Sequence, residues 1–99
     1  MPRYVVIFED DSSRDWIRKE HNQAHFDYLG AHRDEILIAG GLRPDWGEWF
    51  DGGLWVCEAE SKARVAELAE ADPYFTLGLR KAYRIKGWGK APIYDQIAL

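Results

Sequence analysis

The sequence predicts one α+β domain whose elements follow in the order βαββαβ, with the strands in a four-stranded antiparallel sheet. Three observations carry that reading. Four short runs rich in β-branched and aromatic residues are separated by two stretches with the apolar spacing of a helix. The 99 residues contain no internal repeat or linker, and a chain of this length cannot divide its apolar residues between two cores, so residues 1–99 form a single domain. With 46% hydrophobic and 30% charged residues, the composition is that of a globular chain and not of a disordered one.

Tyr4-Val5-Val6-Ile7-Phe8 reads as the first strand, closed by Glu9-Asp10-Asp11. Ser12 or Ser13 is placed to cap a helix, with Asp15 in its first turn at the positive end of the dipole. From Trp16 to about Leu29, the positions Ile17, His21, Ala24, His25 and Tyr28 follow one helical face, so two histidines share the inward stripe. Gly30 stands where a C-terminal cap would lie, unless the helix runs on to His32. Ile36-Leu37-Ile38-Ala39 is the second strand, stopped by Gly40-Gly41, and Gly53 to Ala59 is the third. The connection between them, Leu42 to Gly52, is long for a hairpin and carries Trp46, Trp49 and Phe50, as lids and partner contacts do. Ser61 caps a second helix with Val65, Leu68 and Ala69 inward, ending near Ala71. Asp72-Pro73 then opens a short helix or turn through Leu79, because Asp suits the cap and Pro the first helical position. Tyr83 to Gly87 alternates apolar with basic residues, which suits a strand at a sheet edge.

This split order is that of ferredoxin-like folds. An open antiparallel sheet with helices on one face should alternate apolar and polar positions, yet the first three strands are apolar at consecutive positions. Both faces of the sheet must therefore be dry, and the helices of one chain cover only one. At about 25 cal/mol per Å² of apolar surface, leaving the other face wet costs more than the few kcal/mol of net stability a small domain has. A homodimer closed over the second face is the expected solution. Residues 88–99, apolar for a tail with Ile93, Tyr94, Ile97 and Leu99, are expected to pack on the partner subunit.

Thirteen Lys and Arg against seventeen Asp and Glu give a net charge of −4, which argues against a nucleic-acid partner. No run is long and apolar enough to cross a bilayer, and no signal-peptide pattern opens the chain. Cys57, the single cysteine, cannot form an intrachain disulfide and lies in an apolar run, so a soluble, cytoplasmic protein is expected.

The pattern resembles the YCII family of YciI-like proteins, which are small dimeric α/β barrels. The residues that carry the resemblance are His25-Phe26-Asp27-Tyr28-Leu29, Ile38-Ala39-Gly40-Gly41-Leu42, and Asp72-Pro73-Tyr74-Phe75 with Gly78-Leu79. Asn22 stands where the family usually has an Arg, three positions before its His. The resemblance implies a dimeric barrel with a His25–Asp72 pair in a pocket between sheet and helices.

A neutral imidazole takes or gives a proton near pH 7, and a carboxylate on its far nitrogen fixes the tautomer. His25 and Asp72 are thus the candidate catalytic residues. The plainer roles are a buried His satisfied by a backbone carbonyl and an Asp that only caps a helix. His21 and His25 have the spacing of two metal ligands on a helix, but the Glu of a zinc-protease motif is absent and no third ligand is compelling, His32 joining only if the helix continues past Gly30, so no metal site is assigned. Nothing near Cys57 lowers its pKa, and Gly40-Gly41 and Gly52-Gly53 match no phosphate or dinucleotide fingerprint, so no cofactor is expected. What remains is acid-base chemistry of lyase or isomerase type on a small aromatic or enolic molecule. The expected substrate wall is Phe8, Tyr28, Gly41, Leu42, Arg43 and Tyr74, with Arg43 available to an anionic group. Two other readings share the sequence: a non-catalytic module that binds a metabolite, and a barrel kept only for assembly. The first reaction model needs His25 and Asp72 in contact on a concave pocket; the module needs only the pocket; the assembly piece needs neither, with Trp46 and Trp49 buried between chains.

Overall fold

The computed structural model describes residues 1–99. Strand β1 (Arg3–Asp10) leads through a 3₁₀ turn at Ser12–Arg14 into helix α1 (Trp16–Ala31). Strands β2 (Ile36–Leu42) and β3 (Gly52–Glu58) follow, then helices α2 (Lys62–Ala71) and α3 (Pro73–Thr76), strand β4 (Arg80–Gly87) and a last 3₁₀ turn at Pro92–Tyr94. All pairings are antiparallel and the strand order is β2-β3-β1-β4, the ferredoxin-like arrangement. β4, the strand with alternating basic residues, lies at an edge as expected.

Val6, Phe8, Trp55, Cys57 and Ile36 face the helices and pack on Val65, Leu68 and Ala69 of α2 in one core cluster. Ile17, Tyr74 and Leu79 form a smaller cluster that ties α1 to α3. On the opposite face Leu54 and Ile38 remain exposed, Ile38 by 53%, next to the half-buried Val5 and Ile7. The dry second face read from the sequence is therefore an uncovered apolar surface in the single chain. Leu99 folds back to line a shallow groove there with Ile38, Leu42, Leu54 and Val56.

Several local expectations are corrected. Asp11, not Ser12 or Ser13, caps the first turn: its Oδ1 accepts the Ser13 N–H at 3.0 Å and the Ser13 hydroxyl at 2.7 Å, and a carboxylate is the stronger acceptor. Asp15 occupies the N-cap of α1 without a side-chain bond. Of the two ends read for α1 the structure takes the later one, past Gly30 to Ala31 with the His32 N–H bonded to the Leu29 carbonyl, while Ala24, read as inward, is exposed. Gly40-Gly41 does not stop β2, because both glycines pair across to Leu54 and Gly53. α3 is shorter than expected, ending at Thr76, and Gly78 then turns the chain at φ +93°, a conformation glycine adopts without strain. β4 begins three residues before Tyr83, at Arg80.

Glu35, between α1 and β2, receives two hydrogen bonds from Arg64 of α2, from Nε at 2.9 Å and Nη2 at 2.8 Å. Those bonds hold the Glu35 carboxyl below its ordinary 4.5. A lowered folded-state pKa gives a contribution that is present above the ordinary value and lost as pH falls through the folded one. Glu35→Gln is therefore expected to lower the melting temperature at pH 7, and the gap to the wild type should close as pH falls below 4.5, which melts across that range would check.

Candidate active site

Helix α1 presents Arg18, Asn22, His25 and Leu29 along one stripe, at i, i+4, i+7 and i+11. All four line a cavity of about 530 Å³ between α1, the sheet and the long β2–β3 loop. Gly40, Gly41, Trp55 and Arg80 contribute from the strands, Trp49 and Phe50 from the loop, and Tyr74 from α3. Roughly 300–1,000 Å³ is the usual size of a small-molecule pocket.

His25 is buried, and its Nδ1 lies 2.7 Å from Oδ1 of Asp72, whose side chain is fully buried. A carboxylate only accepts, so in the neutral imidazole the contact favours the tautomer with hydrogen on Nδ1 and the lone pair on Nε2. The same Asp72 oxygen also accepts the Tyr74 N–H at 3.2 Å and so caps α3. One oxygen thus serves as helix cap and imidazole anchor, while Oδ2 is buried without a partner. The Tyr74 ring stacks on His25 with centroids 3.9 Å apart and planes 10° from parallel. Burial raises the Tyr74 phenol above its ordinary value, so it stays neutral.

Beside this pair lies a group that the sequence reading missed. Asp10, at the end of β1, is held by Arg80 Nη1 at 2.7 Å and by Arg18 through Nε at 3.1 Å. Arg18 Nη2 reaches the Gly52 carbonyl at 2.7 Å. A register shift at Glu9/Asp10 pairs Asp10 with Arg80, so Arg80 rather than Lys81 faces inward. β-Bulges commonly re-aim a side chain beside a site in this way. The spacing of Arg18 to His25 was a signal within the sequence; the bulge was not. Glycines make the room: a Cβ on Gly53 would come within 2.9 Å of the Arg80 guanidinium, and one on Gly41 within 2.4 Å of the Phe50 ring.

The expected substrate wall divides. Gly41 and Tyr74 line the cavity with His25. Phe8 lies beneath the floor, 4.8 Å from Trp55 and 4.4 Å from the Arg80 guanidinium. Tyr28 turns away and donates to the Leu68 carbonyl at 2.7 Å, with burial pushing its phenol up to about 12. Leu42 faces the opposite side of the sheet, and Arg43 stacks on Phe50 at 4.1 Å and Trp46 at 5.0 Å outside the cavity. Leu42 and Arg43 are set apart because β2 continues past the glycines and the loop folds over its own arginine, whereas Phe8 and Tyr28 are taken up by the core under α2. His21 has non-helical angles that kink α1, its ring lies against Trp16, and no cluster of three metal-ligating side chains forms. Burial pushes the Cys57 thiol up to about 12, so it is no nucleophile. Trp46, at 86% exposure, lies at the loop tip.

Among solved structures, the chain is similar to the 5-chloro-2-hydroxyhydroquinone dehydrochlorinase (TftG) of Burkholderia phenoliruptrix AC1100, solved in complex with 2,5-dihydroxybenzoquinone. The TM-score is 0.80 at 22% identity, over 90% of this chain and 95% of that one. It is also similar to protein Atu4242 of Agrobacterium tumefaciens, with a TM-score of 0.55 at 16% identity over 93% and 95%. At these identities the likeness establishes the fold. No curated protein matches the sequence. The profile of the YCII-related domain matches residues 3–89, from the first residue of β1 to just beyond β4, and the chain belongs to that family.

Proposed function

We propose that this protein is a cofactor-free enzyme of lyase or isomerase type acting on a small hydroxylated ring, with His25 moving the proton and Asp72 orienting it. The observation that carries the reading is the 2.7 Å contact between His25 Nδ1 and Asp72 at the wall of a ligand-sized cavity, which directs the basic Nε2 away from its anchor. The similarity to a dehydrochlorinase solved with a dihydroxybenzoquinone supports the ring as substrate class. In the proposed step a hydroxyl or ring-carbon proton passes to Nε2, and the electron pair moves through the ring. It either expels a leaving group as an anion, for a net loss of HX, or collects a proton at another ring atom. Both outcomes balance without an external oxidant, as proton transfer by a positioned imidazole requires. Tyr74, stacked on the imidazole, and Trp49 and Phe50 at the loop supply flat walls for the ring.

The working unit we propose is a homodimer in which the uncovered sheet faces meet and the tail packs across the partner. The exposed Ile38 and Leu54 beside Val5 and Ile7 support it. Sedimentation at micromolar concentration should give twice the chain mass, and a well-folded single copy would refute it. No helix is long and apolar enough to cross a membrane, and the buried free thiol of Cys57 fits a cytoplasmic place of action. The function is tested by incubating hydroxylated and halogenated hydroquinones with wild type and His25→Ala, following ring absorbance and halide release. Turnover lost in the variant supports the reading. Binding without turnover in the wild type would leave a ligand-binding module.

A further inference from the structure

Two guanidiniums at the cavity wall share one buried carboxylate. Arg80, with its side chain 2% exposed, and Arg18, 10% exposed, both pair with Asp10, 1% exposed. The three side chains together carry one positive charge, and the nearby Asp72 carboxylate, which also acts on Arg80, is engaged by His25 and the Tyr74 N–H. Nε of Arg80 is buried without a partner, and neither Nη2 of Arg80 nor Nη1 of Arg18 makes a hydrogen bond. Each guanidinium lies 5.2 Å from the Tyr74 ring, the ring that stacks on His25, so the free donors and the imidazole flank one phenol. A buried donor left unpaired is costly, and a desolvated guanidinium binds anionic oxygen more strongly than neutral oxygen. Lys19 adds a further cation at the cavity wall, over Trp49.

We infer that Arg18 and Arg80 recognise an anionic oxygen on the ligand, so that the cavity takes rings bearing an ionised group in preference to their neutral counterparts. Two kinds of ring carry such an oxygen at neutral pH: a ring carboxylate, and a hydroxyquinone, whose hydroxyl is a vinylogous acid. This inference takes the ring itself from the function proposed above, and takes the charge from the cluster alone.

Calorimetric titration of the full chain tests it with two matched pairs, gentisate against gentisamide and hydroxybenzoquinone against its methyl ether. The charged member of at least one pair is expected to bind about tenfold tighter or better, and the pair that shows this tells carboxylate from hydroxyquinone. Arg18→Gln should remove most of that preference, and raised salt should weaken it. Arg80→Lys, a second variant, should reduce it by loss of the fork geometry; if it does not fold, Arg18→Gln decides. His25→Ala should keep the preference, so turnover that survives that variant would refute the lyase reading and leave this one standing. Equal affinity within both pairs, no binding of either anion at millimolar concentration, or a preference untouched by Arg18→Gln in a folded protein would overturn it.

Discussion

Replacing His25 with alanine is expected to lower kcat by roughly 10²–10⁴-fold on any ring the cavity turns over. Removal of the imidazole takes away the only group at the cavity wall whose ordinary pKa lies near neutrality. It also leaves Asp72 Oδ1 with the Tyr74 N–H alone, while Oδ2 has no partner to begin with. A buried acceptor deprived of a bond costs about 1–3 kcal/mol, so the variant should also melt earlier. The two effects separate in Asp72→Asn. The amide can still cap α3 but holds the imidazole less firmly in its tautomer, so kcat should fall while KM changes little. Should His25→Ala keep wild-type kcat with a bound ring, the imidazole has no part in the chemistry.

The largest expected loss of stability is for Asp10→Ala, about 3–5 kcal/mol, the typical cost of breaking a buried ion pair from one side. The carboxylate is the shared partner of Arg80 at 2.7 Å and Arg18 at 3.0 Å, all three side chains being nearly or wholly removed from water. Without it two desolvated guanidiniums face each other with no counter-charge between them. Set against a typical domain stability of about 5–15 kcal/mol, this is a large share. Urea denaturation should show a lower midpoint with an unchanged slope. Asp10→Asn, which keeps one acceptor oxygen but puts a donor in place of the other and loses the charge, should fall between the wild type and Asp10→Ala. A loss below about 1 kcal/mol in Asp10→Ala would mean that water or the chain compensates the arginines, contrary to their burial.

The long loop shows how tertiary contact reinterprets sequence. Trp46, Trp49 and Phe50 all read as candidates for a lid or partner contact, yet only Trp49 and Phe50 line the cavity, and Trp46 points outward. Phe50 sits where it does because Gly41 has no side chain to keep it off. Arg43, the sequence candidate for an anion, is drawn onto the Phe50 and Trp46 rings, while the cations that face the cavity come from α1 and β4. A residue's charge is visible in a sequence; whether its side chain meets a neighbouring ring or an open cavity is not.

Local residue patterns set the element order and the edge position of the last strand, and the family resemblance implied that His25 and Asp72 lie together. Periodicity of 2 and 3.6 residues, Ser and Asp caps and Pro at a first helical position are short-range properties, set by atoms a few bonds apart. The sequence also set the surplus of apolar strand surface, because a count of consecutive apolar positions does not depend on how they are arranged. The meeting of Asp10, Arg18 and Arg80 in one buried cluster, across as many as 70 positions of chain, arises from the folded sheet alone. That meeting depends on a single register shift in β1–β4 pairing, which exchanges Lys81 for Arg80 on the inward face. A strand's side chains alternate between faces, so one extra residue decides which cation enters the cavity, and that choice is made by packing across the sheet and not by any local run of residues.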